Sequence, residues 1–446
     1  MGAHTSMTVD DTLHITGGSP LYGTVPVRGS KNAVPKLMVA ALLTEQPVTI
    51  RNVSFVRDIG IVADLVEALG STTTSDPSAG VVTITARDVH LAGQGELADF
   101  HERSRIPVLT CAPLLHRTGQ AEIWRPGGCS IGERPVGFHL EVLRAFGATA
   151  DRTDTGYRLE APSGLRGAVI DLPFPSVGAT EQFLLGAVVA AGDSVLRNAA
   201  TEPEIMDLIG MLQRMGALIT IRPGRIIQVT GVHHLHGVDY TAAPDRLEAA
   251  SWAGLALATD GRITVANVRQ GDLSTYLNVF RRAGGDFEFS SDGGEVSFWR
   301  ERPMPRPLVI ETDVHPGFMT DWQPPLVTAL TQADGVTVLH ETVYEDRLGY
   351  TEALRALGAQ IQVFTECLGS TPCRFGSRNH RHSAVIVGPA KLQGTDLNVP
   401  DLRAGFSYVL AALAAQGTST ISGASLLDRG YENFRSKLLG VGAKLH

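Results

Sequence analysis

The sequence predicts an α/β protein of two similar globular domains, each built from three repeated units around buried helices, an inside-out α/β barrel. Two in-phase patterns and the composition predict it. The first pattern is a set of amphipathic helix ends closed by glycine, at Gly70, Gly147, Gly216, Gly284, Gly358 and Gly442, with a period of roughly 70 to 80 residues that is too long for a common solenoid repeat. The second is a set of almost wholly apolar helices, each followed by a short turn and a β-branched strand. Composition completes the case: 446 residues, 43% hydrophobic and 19% charged, are enough for two or more sizeable cores.

Taken in chain order, the apolar helices and their strands are Ala40-Ala41-Leu42-Leu43 before Val48-Thr49-Ile50, then Pro113-Leu114-Leu115 before Ala121-Glu122-Ile123, then Ala187-Val188-Val189 before Ser194-Val195-Leu196. The second half repeats the series with Leu255-Ala256-Leu257 before Ile263-Thr264-Val265, Val327-Thr328-Ala329-Leu330 before Val336-Thr337-Val338, and Ala411-Ala412-Leu413 before Ser419-Thr420-Ile421. A helix with almost no polar face belongs in the interior. Each unit therefore contributes one inner helix, one outer amphipathic helix and several strands.

Three units precede about residue 240 and three follow it. The expected domains are residues 31–242, and 1–30 together with 243–446, with a cleft between them of the kind that closes on a ligand. The crossover is expected near His233-His234-Leu235-His236-Gly237, whose histidines suit a solvated connector, and Leu13-His14-Ile15-Thr16 is expected to pair with the C-terminal half.

A net charge of -8 argues against nucleic acid or an anionic membrane as the main partner. Four cysteines, Cys111, Cys129, Cys367 and Cys373, do not make a disulfide framework in so long a chain, which suits a reducing cytoplasm. No apolar run approaches the ~20 residues that span a bilayer, and Met1–Met7 lacks the apolar core of a signal peptide. The chain shows no nucleotide-triphosphate loop, dinucleotide fingerprint or serine triad, so no organic cofactor and no obligatory metal are expected.

The densest chemical segment is Arg125-Pro126-Gly127-Gly128-Cys129-Ser130-Ile131-Gly132-Glu133-Arg134-Pro135-Val136. Its glycines permit close backbone approach to a ligand, its length suits a mobile lid, and Arg125 and Arg134 would favour the Cys129 thiolate.

With Arg28-Gly29-Ser30-Lys31-Asn32-Ala33 near the start, Gly128-Cys129-Ser130-Ile131-Gly132 in a loop and six α/β units in two halves, the chain resembles the enolpyruvyl transferases from about Leu13 to the C terminus. The resemblance implies transfer of the enolpyruvyl group of phosphoenolpyruvate to the 3-hydroxyl of UDP-N-acetylglucosamine, with release of phosphate through a tetrahedral intermediate. Such chemistry requires cations for phosphate and carboxylate, a base for the hydroxyl and an acid for the methylene carbon. By resemblance Lys31, Arg105, Arg134 and Arg403 surround phosphoenolpyruvate, with Arg347 a further member of that wall. Cys129 would be the general acid or a covalent carrier of phosphoenolpyruvate, and hence a target of fosfomycin. Asp321, in His315-Pro316-Gly317-Phe318-Met319-Thr320-Asp321, would face the acceptor hydroxyl as its base, or else cap the apolar helix that follows. Asn32 would contact the same hydroxyl.

On the nucleotide side the resemblance places Pro135-Val136-Gly137-Phe138-His139 beside the uracil. Ser176-Val177-Gly178-Ala179 would offer backbone N–H groups to phosphate, with Thr180-Glu181 opening a helix. Three positions depart from the family pattern: Gly137 stands for an aspartate, Phe174 for a lysine near the diphosphate, and Leu109 for a tryptophan after Arg105. These departures keep open a nucleotide acceptor such as UMP, and a catalytically silent ligand-binding paralogue is a further alternative.

The segment Glu366–His382 is longer than the family's hairpin. Its two cysteines, with His380 and His382, suggest zinc, but their spacing matches no familiar finger, and a loop or hairpin is expected. Asp58, Glu202, Glu204, Asp245 and Glu248 read as helix starts and tying contacts, with Asp245-Arg246-Leu247-Glu248 a capping box.

Overall fold

The computed structural model describes residues 11–124, 136–371, 373–376, 378–399 and 402–446, apart from the side chains of residues 94 and 402–404. The chain divides into two compact units, one comprising the N-terminal stretch to Val27 with Arg246–His446, the other lying between Arg28 and Asp245. Each unit has its own apolar core and three open sheets; none of the sheets closes into a barrel among the described residues.

The periodic glycines have a local cause. Gly70, Gly147, Gly216, Gly284, Gly358 and Gly442 take φ of +91, +96, +102, +91, +105 and +89 degrees, a region in which a Cβ is strained. Each amide donates to the carbonyl three residues back, as Gly70 does to Glu67. At Ser71, Ala148, Ala217, Ala359 and Ala443 the next amide reaches the carbonyl five residues back, which completes a Schellman closure.

The apolar helices lie in the cores. Val34–Ala40, Cys111–Thr118 and Val177–Ala187 serve the unit between Arg28 and Asp245, and Arg246–Thr259, Gln323–Leu330 and Leu402–Ala414 serve the other. In Val177–Ala187 every side chain from Ala179 onward is buried. The sheets cover these helices with one face and turn the other to water, so strands alternate: in Val48–Arg51, Val48 and Ile50 are buried and Arg51 is exposed.

Four-stranded sheets share one plan, a parallel pair extended by antiparallel strands. Val169–Asp171 lies parallel to Asp193–Arg197 with the helix Val177–Ala187 between them in sequence, and Val309–Glu311 lies parallel to Gly335–His340 around Gln323–Leu330. A strand beside each connection between the units pairs within its own unit. Tyr22–Pro26 pairs in parallel with Arg262–Ala266 (Val25 opposite Val265), whereas Val238–Thr241 pairs with Val48–Arg51 (Tyr240 opposite Ile50). The strand Thr12–Thr16 pairs antiparallel with Thr418–Ser422 and with Lys444–Leu445.

A third in-phase marker escapes sequence reading. Asn52, Asn198 and Asn267 follow equivalent strands with φ of 60, 56 and 64 degrees, and each side-chain amide donates to a backbone carbonyl, of Ala242, Leu172 and Val27 respectively. Asparagine tolerates this left-handed region because its short amide bonds locally.

Asp245 and Glu248 both bond beyond the helix start. The Asp245 amide donates to Arg28 O, and its carboxylate receives the Lys31 amide at 3.0 Å. Glu248 turns into the core instead, where Trp252 Nε1 at 3.1 Å and Lys437 Nζ at 2.6 Å reach its Oε1. A buried lysine is the stronger competitor for that carboxylate.

Candidate active site

In the unit between Arg28 and Asp245, Lys31 and Asn32 sit in the turn that leads into the helix Val34–Ala40. Lys31 is fixed at both ends: its amide bonds Asp245, and its Nζ lies 3.1 Å from Asp58 Oδ2. The Asn32 amide donates to Ser30 Oγ at 3.2 Å, and its carbonyl accepts from Lys36 Nζ. Lys36 also lies 3.6 Å from Glu181 Oε1. Burial pushes the Glu181 carboxyl up to about 7, against the opposing pull of Lys36.

The two nucleotide-side motifs meet. Ser176, not Thr180, opens the helix Val177–Ala187: its Oγ accepts the Ala179 amide at 3.3 Å, and its carbonyl takes the Thr180 amide. This leaves Val177 and Gly178 as first-turn amides to which the helix itself offers no acceptor. The His139 ring lies against Gly178, where an added Cβ would stand 3.0 Å from both His139 Cε1 and Nε2. Gln182 holds the other edge of the ring: its side-chain amide nitrogen donates to His139 Nδ1 at 3.3 Å and to Val108 O at 3.0 Å, while its oxygen accepts the Ala112 amide at 3.2 Å. Burial pushes the imidazole down to about 4, and the nearby charge of Arg105 acts in the same direction. Phe138 is half-buried against the core, and Leu109 is buried in the short 3-10 turn that Arg105 opens.

The other unit carries Asp321 and Arg347. Asp321 does not cap a helix; it sits within the 3-10 turn Thr320–Trp322, ahead of the helix Gln323–Leu330. Arg347 Nη2 meets its Oδ1 at 2.7 Å, with both side chains almost fully buried. A guanidinium at that distance outcompetes a backbone amide for the carboxylate. Beneath the pair lies the buried Glu341, which accepts from Thr320 Oγ1 at 2.7 Å and from the amides of Val343 at 2.8 Å and Tyr344 at 3.0 Å. Burial raises the Glu341 carboxyl, and Arg347 opposes that rise. Arg347 Nε is buried without an acceptor among the described residues.

Cys129, Arg134 and Pro135 lie outside the described residues, as does the side chain of Arg403, which belongs to the helix Leu402–Ala414. Sequence reading missed Lys36, Glu181 and Glu341. Lys36 and Glu181 had a signal: each is the single charge in an otherwise apolar, buried helix, where an ionisable group is rare unless paired. Glu341 had none, because it follows a strand end and acts through Thr320.

The family model for EPSP synthase (3-phosphoshikimate 1-carboxyvinyltransferase) matches residues 15–438, and the chain belongs to that family of enolpyruvyl transferases. Within it, the chain is 44% identical over 441 residues to the UDP-N-acetylglucosamine 1-carboxyvinyltransferase of Protochlamydia amoebophila (strain UWE25), covering 98% of this chain and 94% of the relative. It is 43% identical over 436 residues to the protein of the same name from Chlamydia trachomatis serovar D, with 97% of each covered. Among solved structures, the enolpyruvyl transferase NikO from Streptomyces tendae superposes with a TM-score of 0.85 at 25% identity, covering 98% of both chains. The EPSP synthase of Acinetobacter baumannii gives 0.70 at 19% identity over 98% of this chain and 99% of its own, a likeness of fold alone.

Proposed function

We propose that this chain transfers the enolpyruvyl group of phosphoenolpyruvate to the 3-hydroxyl of UDP-N-acetylglucosamine and releases phosphate, a step of peptidoglycan precursor synthesis. The observation that carries the reading is 44% identity over 98% of the chain to a UDP-N-acetylglucosamine 1-carboxyvinyltransferase. Both substrates are cytoplasmic metabolites, and the reaction is assigned to that compartment. No described helix is long and apolar enough to cross a membrane.

In the addition step, Asp321 takes the proton of the acceptor hydroxyl as its oxygen bonds to C2 of phosphoenolpyruvate, and the Cys129 thiol protonates C3. Loss of a C3 proton and of phosphate from C2 then restores the double bond. Lys31, Arg105, Arg134, Arg347 and Arg403 balance the charge of the phosphate and carboxylate, and the buried Arg347 Nε is a donor that such an anion would satisfy. Asn32 meets the acceptor hydroxyl. Pro135, Phe138 and His139 border the uracil, while Ser176, Val177 and Gly178 offer a helix start to the diphosphate.

A second reading takes UMP as acceptor, and Phe174 favours it, since no cation stands there for a second phosphate. Phosphate release from phosphoenolpyruvate decides between them. Turnover with UDP-N-acetylglucosamine and none with UMP supports the first reading, and the reverse supports the second. Binding of both substrates without release would make the chain a silent paralogue. Fosfomycin inactivation of the wild type, with Cys129→Asp resistant, assigns the thiol its role.

A further inference from the structure

The unit that carries Arg246–His446 gathers His340, Cys367, Cys373 and His382 so closely that one ligand atom from each lies within 4.8 Å of all the others. The sheet register creates the cluster. His340 ends the strand Gly335–His340 and pairs across the ladder with Ser383, the residue after His382. Both cysteines belong to the connection between Gln360–Phe364 and Ser383–Gly388, which folds back over this corner.

We propose that these four side chains form a structural zinc site that ties the long connection to the strand end. Two thiolates and two imidazoles are an ordinary closed donor set for zinc, which they bind as a neutral unit. With Zn–S near ~2.3 Å and Zn–N near ~2.0 Å, tetrahedral ligand atoms stand about 3.3 to 3.8 Å apart. Contraction of the cluster by roughly an ångström, within the reach of side-chain torsions, meets that geometry.

The orientation of the rings supplies an independent observation. His340 is fully buried; its Nδ1 faces Glu311 Oε2 at 3.2 Å, and its Nε2 has no hydrogen-bond partner among the described residues. His382 directs Nδ1 to the carbonyl of His380 at 2.8 Å and its Nε2 to Cys367 Sγ at 3.3 Å. In both residues one nitrogen is held by an oxygen while the other is offered inward, the arrangement that fixes the tautomer of a zinc-bound histidine. A buried, unmatched ring nitrogen is costly unless something meets it. Cys373 Sγ accepts the Phe375 amide at 3.3 Å, a bond that orients the sulfur in the cluster.

The surroundings brace the same atoms. Glu311 also accepts the amides of Ser370 at 3.1 Å and Thr371 at 2.7 Å, so one carboxylate clamps both His340 and the cysteine-bearing connection. A Cβ at Gly369 would collide with Glu311 Oε2 and His340 Nδ1, which demands glycine there. His380 contributes only its backbone carbonyl; its ring faces Asp346. His340, 27 positions before Cys367, takes the place that sequence reading gave to His380. The residue after His340 is Glu341, which holds Thr320 next to Asp321, so the metal would also steady that turn.

Metal analysis of the reduced, full-length protein, purified without a polyhistidine tag and dialysed, tests the proposal. About one zinc per chain is expected, replaceable by cobalt with the visible bands of a tetrahedral thiolate site. Cys367→Ser with Cys373→Ser abolishes the bands, Glu311→Ala weakens affinity ~10- to 100-fold, and His380→Ala retains the metal. Because the double variant could misfold, the wild type is also stripped with a chelator: its melting temperature falls and recovers with one equivalent of zinc. Wild type that binds neither zinc nor cobalt, metal retained by the double variant, or a mass two hydrogens short from a Cys367–Cys373 disulfide overturns the proposal, as does an unchanged melting temperature after stripping.

Discussion

Arg347 shows what a motif conveys and what it withholds. Its charge can be read from the chain, but its grip on Asp321 joins residues 26 positions apart and exists only once both turns are packed beside Glu341. Replacement by lysine keeps the charge and loses the planar fork. With Asp321 no longer held, Arg347→Lys is expected to lower kcat/KM about 10²-fold, the scale of a small misplacement of reacting groups, with the far-ultraviolet circular dichroism unchanged. A steady-state phosphate assay decides, and a loss below twofold would show the fork to be dispensable. Gly178 poses the complementary case of a side chain that must be absent. Gly178→Ala pushes a methyl group to within 3.0 Å of the His139 ring and is expected to raise KM for the uridine nucleotide about tenfold, while KM for phosphoenolpyruvate stays within twofold. Equal effects on both constants would indicate general damage to the helix start.

At the scale of the element, the six glycine closures and the six apolar helices are legible because their causes are local: one residue's φ, and one helix without a polar face. Gly147 tests the first cause alone, since a Cβ there meets nothing within 4 Å while φ is +96 degrees. Gly147→Ala should therefore cost about 1–2 kcal/mol through the backbone. Gly60, exposed within the helix Arg57–Ala68 and equally uncrowded, should gain about 0.5–1 kcal/mol as alanine. Urea midpoints of the two variants should move in opposite directions. Glu181 links an element to pH. Its folded carboxyl, raised from 4.5 to about 7, holds its proton where the unfolded chain has lost it. Its contribution to stability is thus lost as pH rises from the unfolded value through the folded one. Glu181→Gln removes that dependence, so its stability relative to wild type should increase between pH 4.5 and 7 by on the order of 1–3 kcal/mol, and a constant difference across urea titrations would refute it. The side chain of Glu248 marks the limit of local reading, for Lys437, far along the chain, holds it in the core.

For the whole molecule, the two-unit, helix-inside architecture is legible from phase, but the pairing partners of Tyr22–Pro26 and Val238–Thr241 are not. Each strand has the alternation its neighbours require and could, by pattern alone, serve either sheet. The pairings matter because Tyr22–Pro26 joins a sheet built from residues more than 200 positions later, whereas Val238–Thr241 stays with the stretch that precedes it, and the two cores share no residue. Stability should follow the cores and not the order of the sequence. Leu255, fully buried in the helix Arg246–Thr259, offers a test: Leu255→Ala opens a cavity and should cost about 2–5 kcal/mol. Native-state hydrogen exchange would read where that loss falls. Amides of Arg262–Ala266, Glu295–Arg300 and Tyr22–Pro26 should exchange on the order of 10²-fold faster, even though the last lies more than 200 positions away in the chain. Amides of Val48–Arg51, Asp193–Arg197 and Val238–Thr241 should keep their protection, despite the position of Val238–Thr241 just ahead of the altered helix. If Val238–Thr241 loosens and Tyr22–Pro26 does not, cooperativity follows chain neighbourhood and the separation into two cores has no energetic meaning.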